Sequence, residues 1–224
     1  MTRVLLLAAG LLVVLAAGAA GRSGTPGDDH LTGTARADKL FGLAGVDVMF
    51  GRGGDDRVVG NDGNDVVDGG PGDDQVNGGA GNDKASGGSG ADEVAGRAGD
   101  DVVLGGSQGD TVYGGLGSDV VSGGGGTDKV GGGGGDDGLR GGDGDDRLFG
   151  GHGDDVLRGG EGNDRLSGGP GLDDLLGEAG DDVIDARDGR EDRIDCGPGQ
   201  DTVVVDAQED GVFDCETVLR PEGS

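Results

Sequence analysis

The sequence predicts an all-β protein: a parallel β-roll (a β-solenoid) built from nine-residue repeats, with two sheets of short strands and a C-terminal cap. Three observations predict it. Glycine returns every nine residues from Gly24 to Gly177 without an insertion, an aspartate stands five places after each of these glycines, and an apolar residue stands two places after each aspartate. A fixed period of this kind is the mark of a repeat architecture rather than of a globular core. The stretch GGHGDDVLRGGEGNDRLSGG, residues 150–169, holds the unit twice.

The first element in the chain is MTRVLLLAAGLLVVLAAGAAG. Arg3, the apolar run from Val4 to Ala17 and the small residues Ala17 and Ala19 read as a secretory signal peptide over residues 1–20, cut after Ala19 or Ala20. The run is short for a membrane span, so no membrane association is expected once it is removed.

The repeats follow, eighteen units over residues 24–185. Position eight is apolar throughout: Leu31, Leu40 and Met49, mostly Val from Val58 to Val130, then Leu139 to Leu175 and Ile184, with Ala85 the one small residue. Positions seven to nine, as in Lys39-Leu40-Phe41 or Arg147-Leu148-Phe149, alternate out, in, out, and make a short strand of three residues. Positions one to six are rich in Gly and Asp, the residues of tight turns and of positive φ. One turn and one strand cover half a coil, so two units close an 18-residue coil that stacks on the next. Position four is Gly except at Arg36 and Gln108, and position two is the loosest, occupied for example by Thr25, Leu43, Arg52, Arg97 and Glu178. The run GGGGTDKVGGGGGDDG, residues 123–138, has the composition of a linker, but Asp128, Val130, Asp137 and Leu139 keep the phase.

The last element, residues 186–224, is an atypical capping segment. The phase slips by one at Ala186, recovers loosely at Asp192, Ile194, Asp201 and Val203, and gives way to the β-branched text TVVVDAQEDGVFDCETVL. A solenoid needs such a last repeat to hide its open end. Cys196 and Cys215 fall one coil apart in the shifted phase. Neighbouring coils about 4.8 Å apart lie within disulfide reach, so a Cys196–Cys215 bridge is expected, in keeping with an oxidising, extracellular compartment.

Composition narrows the function. A formal charge of −28, from 45 acidic and 17 basic residues, excludes a general phosphate-binding surface and so a nucleic-acid partner. A chain this acidic with 2% aromatics is ordinarily disordered, yet a merely solvating chain has no reason to keep an apolar residue two places after each Asp. One apolar side chain per nine residues is little to set against chain entropy, and stacked Asp-bearing turns repel one another. A cation must enter. Only oxygen donors recur, which suits Ca²⁺ rather than Zn²⁺ or Mg²⁺. His30 and His152 sit at different repeat positions, seven and three, and read as solvent-facing.

The unit is similar to the RTX (haemolysin-type) calcium-binding nonapeptide, G-G-x-G-x-D-x-U-x, over about 162 of the 224 residues. The resemblance implies multiple Ca²⁺ ions held between successive turns on each edge of the roll, with the position-six Asp giving a carboxylate and turn carbonyls the rest. One edge would use Asp29, Asp47, Asp65, Asp83, Asp101, Asp119, Asp137, Asp155 and Asp173; the other Asp38, Asp56, Asp74, Asp92, Asp110, Asp128, Asp146, Asp164 and Asp182. Arg36 and Gln108 make two turns of the second edge depart from the motif. Such arrays often hang from toxins, proteases, lipases or epimerases and leave through a one-step exporter with a C-terminal signal; this chain departs from that pattern in its N-terminal signal and in having no room for a catalytic domain.

Three functions are weighed. The first is a secreted calcium-binding roll with a structural or adhesive role. The second is an enzyme, or the remnant or accessory of one. It is disfavoured because pairs such as Asp154-Asp155 recur along a surface instead of converging, and no Ser/His/Asp or metal-His grouping stands outside the repeats. The third is a non-catalytic partner-binding module, adhesin-like or ice-binding. Positions seven and nine mix Lys, Val, Arg, Gln, Asp, Ser, Gly and Phe, so a protein or glycan partner is not readable from them.

Overall fold

A computed structural model describes residues 13–14, 21–206 and 211–220. The expected signal peptide lies outside the described residues except for Val13–Val14, which pair with His30 and Leu31 at the start of one sheet. The described residues form two 12-stranded sheets, and successive strands alternate between them. All strand pairs are parallel and in a register of eighteen through the repeats, as in Val48↔Val66, Val102↔Val120 and Arg147↔Arg165. The sheet that contains His30–Thr32 is called the first, and the sheet that contains Lys39–Ala44 the second.

Every position-eight residue from Leu31 to Ile184 is buried, at most 2% exposed. These side chains form two facing rows, one per sheet, and they are the core. The strands are longer than the three residues expected. Through most of the repeats they run six residues, from position seven to position three of the next unit, as in Arg57–Asp62, Val102–Ser107 and Arg147–His152. The inward alternation runs further too: positions six, eight and one all face in, and positions seven and nine face out. Hydrogen bonds between coils explain the extension. The position-one N–H donates to the position-nine carbonyl of the next coil, as in Gly51 to Asp68 (2.8 Å), and the position-four N–H to its position-three carbonyl, as in Gly63 to Ala80 (2.8 Å). Only positions four to six are left to turn the chain.

Both ends depart from the pattern. Arg22, in register with Leu40, takes a core position at the N-terminal end, 5% exposed, its guanidinium donating to the Thr32 carbonyl. Towards the C terminus the sheets run on to Gly211–Phe213 and Thr217–Leu219. The registers Leu175↔Ile194 and Ile184↔Val203 place the one-residue slip between Ala186 and Asp192, in a turn. In this region position one is no longer Gly: Ala186, Cys196 and Val205 are buried and join the core. Cys196 is bonded to Cys215, with Cα atoms 5.2 Å apart.

Candidate metal centre

The position-six aspartates are where the chain turns back into a strand, and the alternation points them inward. All eighteen expected residues, from Asp29 to Asp182, are buried, at most 4% exposed. They fall into two stacks, one per edge, divided as the sequence divides them. Within a stack each Asp after the first uses its Oδ1 to accept the backbone N–H of the Asp one coil earlier: Asp47 from Asp29 (2.8 Å), Asp83 from Asp65 (2.7 Å), Asp146 from Asp128 (2.8 Å), Asp182 from Asp164 (2.8 Å).

The second carboxylate oxygen has no such partner. From Asp47 to Asp182 every Oδ2 is buried and unbonded, whereas native interiors satisfy nearly all such atoms. The position-one glycine makes room for it. A methyl carbon on Gly105 would lie 2.6 Å from the Asp110 Oδ2 and 2.6 Å from the carbonyl oxygen of Gly123, one coil on. Similar pairs of oxygens flank Gly24, Gly132 and Gly150. These glycines have no positive φ; what they supply is space, an oxygen-lined cradle that any Cβ would fill. Positive φ belongs to positions two and four, and five non-glycine residues accept it at position two: Leu43, Arg52, Asn61, Arg97 and Glu178, with φ from 71° to 97°.

Burial of so many carboxylates shows in their acidity. Loss of water raises Asp83, Asp110, Asp146 and Asp155 to about 7; the N–H from the coil before opposes the rise, and the charges of neighbouring aspartates add to it. Asp56, Asp74, Asp101, Asp137, Asp173 and Asp182 are raised to about 6 for the same leading reason. Among the described residues no three acidic, His or Cys side chains converge on a point. A cation here would take one carboxylate oxygen from the stack and draw its remaining ligands from backbone carbonyls. The donor set is all oxygen, it repeats at each coil, and it fits a hard cation of flexible coordination.

The two turns that depart from the motif behave differently from each other. Gln108 keeps the left-handed turn (φ 79°), and Asp110 still accepts from Asp92 at 2.8 Å. At Arg36, Asp38 Oδ2 is already engaged by the Thr34 N–H and hydroxyl (2.6 and 2.7 Å), and Asp29 is held likewise by Thr25 (2.5 and 3.0 Å). Position-two threonines thus close the first turn of each stack. The stacks also run past the eighteen expected residues. Asp192 accepts from Asp173 (2.9 Å), Asp201 from Asp182 (2.8 Å), and Glu216 from Asp201 (2.8 Å). Position five carries a second ladder in the opposite sense, in which an Asx side chain accepts the N–H one coil later, as Asn64 from Asn82 (2.9 Å) and Asp136 from Asp154 (2.9 Å). Asp or Asn at eleven of the eighteen position-five sites was its signal in the sequence. His30, against the Phe50 ring at 5.7 Å, and His152 lie on strands and belong to neither stack.

No curated protein matches the chain. The family model for the RTX calcium-binding nonapeptide repeat (4 copies) matches residues 23–58, 50–85, 78–112, 104–139, 131–166, 140–175, 158–190 and 167–203. These overlapping segments cover the whole of both aspartate stacks as the sequence divides them. With that match over most of its length, the chain belongs to the RTX calcium-binding nonapeptide repeat family.

Proposed function

We propose that the protein is a secreted β-roll in which Ca²⁺ held between stacked turns drives folding, with a structural or adhesive role outside the cell. The observation that carries this reading is the row of buried, unbonded Oδ2 atoms in each stack. The position-six aspartates from Asp47 to Asp182 would hold the ions together with turn carbonyls. Asp29 and Asp38, with Oδ2 already bonded to threonine, would offer Oδ1 instead, which in both is buried and unbonded. Bound Ca²⁺ supplies the positive charge that makes two stacks of carboxylates tolerable in a thin core, so binding free energy serves as folding free energy. Secretion is inferred from the N-terminal segment, expected from its sequence to be a signal peptide, and the Cys196–Cys215 bridge is in keeping with it.

Circular dichroism of the chain from residue 21, titrated from EGTA into Ca²⁺, tests this. The expected result is a largely disordered chain in chelator and a β spectrum in calcium. The transition should be steeper than a one-site curve because coils contact only their neighbours, with a midpoint of roughly 10⁻⁴ to 10⁻³ M and Mg²⁺ a poor substitute. A spectrum already complete in chelator, or no change at millimolar Ca²⁺, would sink the reading.

A further inference from the structure

The outward residues look mixed when read every nine residues, but the two sheets sort them. Position seven of the first sheet is rich in valine, as at Val102, Val120 and Val156, while position seven of the second carries Lys129, Arg147 and Arg165 on three adjacent strands. Like charges directly opposite one another destabilise a sheet, and this row stands in a chain of charge −28. All three side chains are exposed, and none makes an ion pair among the described residues. Beside them, at position nine, the Tyr113 ring lies across Gly131: a methyl carbon there would sit 2.7 Å from the ring Cδ1. Lys129 Nζ stands 5.3 Å from the ring centroid. The next strand carries Phe149, 46% exposed. A depression of about 400 Å³ runs along the cation row to the turn at Asp110 and Asp128.

We propose that this patch binds an acidic oligosaccharide, a chain of uronic acids lying across the strands. The three cations repeat at the strand spacing of about 4.8 Å, close to the length of one sugar in an extended chain, so successive carboxylates can meet successive cations. Guanidinium groups pair with carboxylates in two-pronged fashion. The Tyr113 ring and Phe149 offer flat apolar surface to the C–H faces of the sugars, the use to which amphipathic aromatic rings are suited. Nucleic acid also stacks on aromatic rings, but sequence-independent binding of a single strand needs a positively charged groove along its path, and here the row is three cations long, ending at Thr111 on one neighbouring strand and Val183 on the other. The inference rests on the calcium reading in one respect: ions at the turns neutralise the flanking carboxylates that would otherwise repel an anion.

The test uses the only tyrosine of a chain without tryptophan, so that tyrosine fluorescence reports on the patch itself. The chain from residue 21, in millimolar Ca²⁺ and with its fold checked by circular dichroism, is titrated with a hexamer of galacturonic acid, with cellohexaose and with an oligo-dT. The expected result is a saturable change with the galacturonate hexamer that weakens as salt is added, and binding of cellohexaose and oligo-dT at least about tenfold weaker. The double variant Arg147→Ala/Arg165→Ala, which leaves both aspartate stacks intact, should bind at least about tenfold more weakly with an unchanged spectrum, and Gly131→Val should weaken binding by displacing the ring. Unaltered binding by the double variant would mean calcium bridging alone and would overturn the proposal, as would oligo-dT binding as tight as the galacturonate hexamer. A folded, calcium-loaded roll that binds nothing removes this inference only; a chain that stays disordered in calcium removes the calcium reading with it.

Discussion

The backbone N–H of Asp128 donates to Oδ1 of Asp146, one coil later, at 2.8 Å, and the other oxygen of that carboxylate faces no donor. One half of the side chain therefore holds two coils together and the other half is free for a cation. Asp146→Asn separates the two roles, because it keeps an acceptor for Asp128 and removes the charge. In chelator the variant should be no less folded than the parent, since a buried charge costs more than a buried amide, while its calcium midpoint moves to higher concentration. Asp146→Ala should lose both roles and leave the Asp128 N–H unsatisfied, at a cost of about 1–3 kcal/mol. Chelator and calcium titrations of both variants check this; identical behaviour of Asn and Ala would remove the division of labour.

Gly105 and Gly125 should differ sharply in their tolerance of a methyl group. Gly105→Ala puts a carbon against the Asp110 carboxylate and the Gly123 carbonyl, and overpacking of this kind costs about 1–3 kcal/mol. At Gly125 a methyl group meets nothing within 4 Å, and Gly125→Ala should change stability by less than about 0.5 kcal/mol. Thermal unfolding in calcium measures both.

Position within the unit also sets the cost of a charge. Val103→Asp places a carboxylate in the two-row core, where Val103 is fully buried, and should abolish the calcium-dependent β spectrum. Arg147→Asp, on an exposed strand position, should leave that spectrum nearly unchanged. Equal loss in the two variants would count against the inward and outward assignment.

Without metal, stability should rise as the solution is made acidic. Burial raises Asp83, Asp110, Asp146 and Asp155 to about 7 from an ordinary 3.8, so between those values the folded state holds protons that the unfolded chain has released. Stability in that window falls as pH rises and returns as pH falls. Circular dichroism in metal-free buffer should therefore show β structure gained between about pH 7 and 4. In calcium the dependence should reverse, because protons compete for the same oxygens. A metal-free spectrum unchanged across the window would contradict it.

Much of this was legible in the sequence because the phase never breaks between Gly24 and Asp185. Counting in nines assigns Leu148 to the core, Asp146 to a stack and Cys196 to the neighbourhood of Cys215, and the structure places them so. Strand length was not legible, since positions one and two are mostly Gly and carry no alternation to read. Thr25 passed as a loose substitution at position two and Thr34, at the same place in the next unit, was not singled out, although each hydroxyl closes the first turn of a stack. Glu216 was missed because only fifteen residues separate it from Asp201. The surface chemistry was hidden by the choice of period: Val120 and Arg147 occupy the same place in a nine-residue unit but different sheets in an 18-residue coil.

The register of eighteen makes the molecule a counted stack whose repeats have two interchangeable orientations. Loss of eighteen residues from the middle of the chain would shorten it by one strand gap and leave every downstream side chain on its original face. Loss of nine would keep each turn, each buried Asp and each core contact of the unit, yet carry Arg147 and Arg165 onto the side where Val102 now stands, and the valines after the cut onto the other. Parity, invisible to the fold, decides which way every outward residue faces, so slippage by a single unit can remake the surface of this chain while leaving its interior as it was.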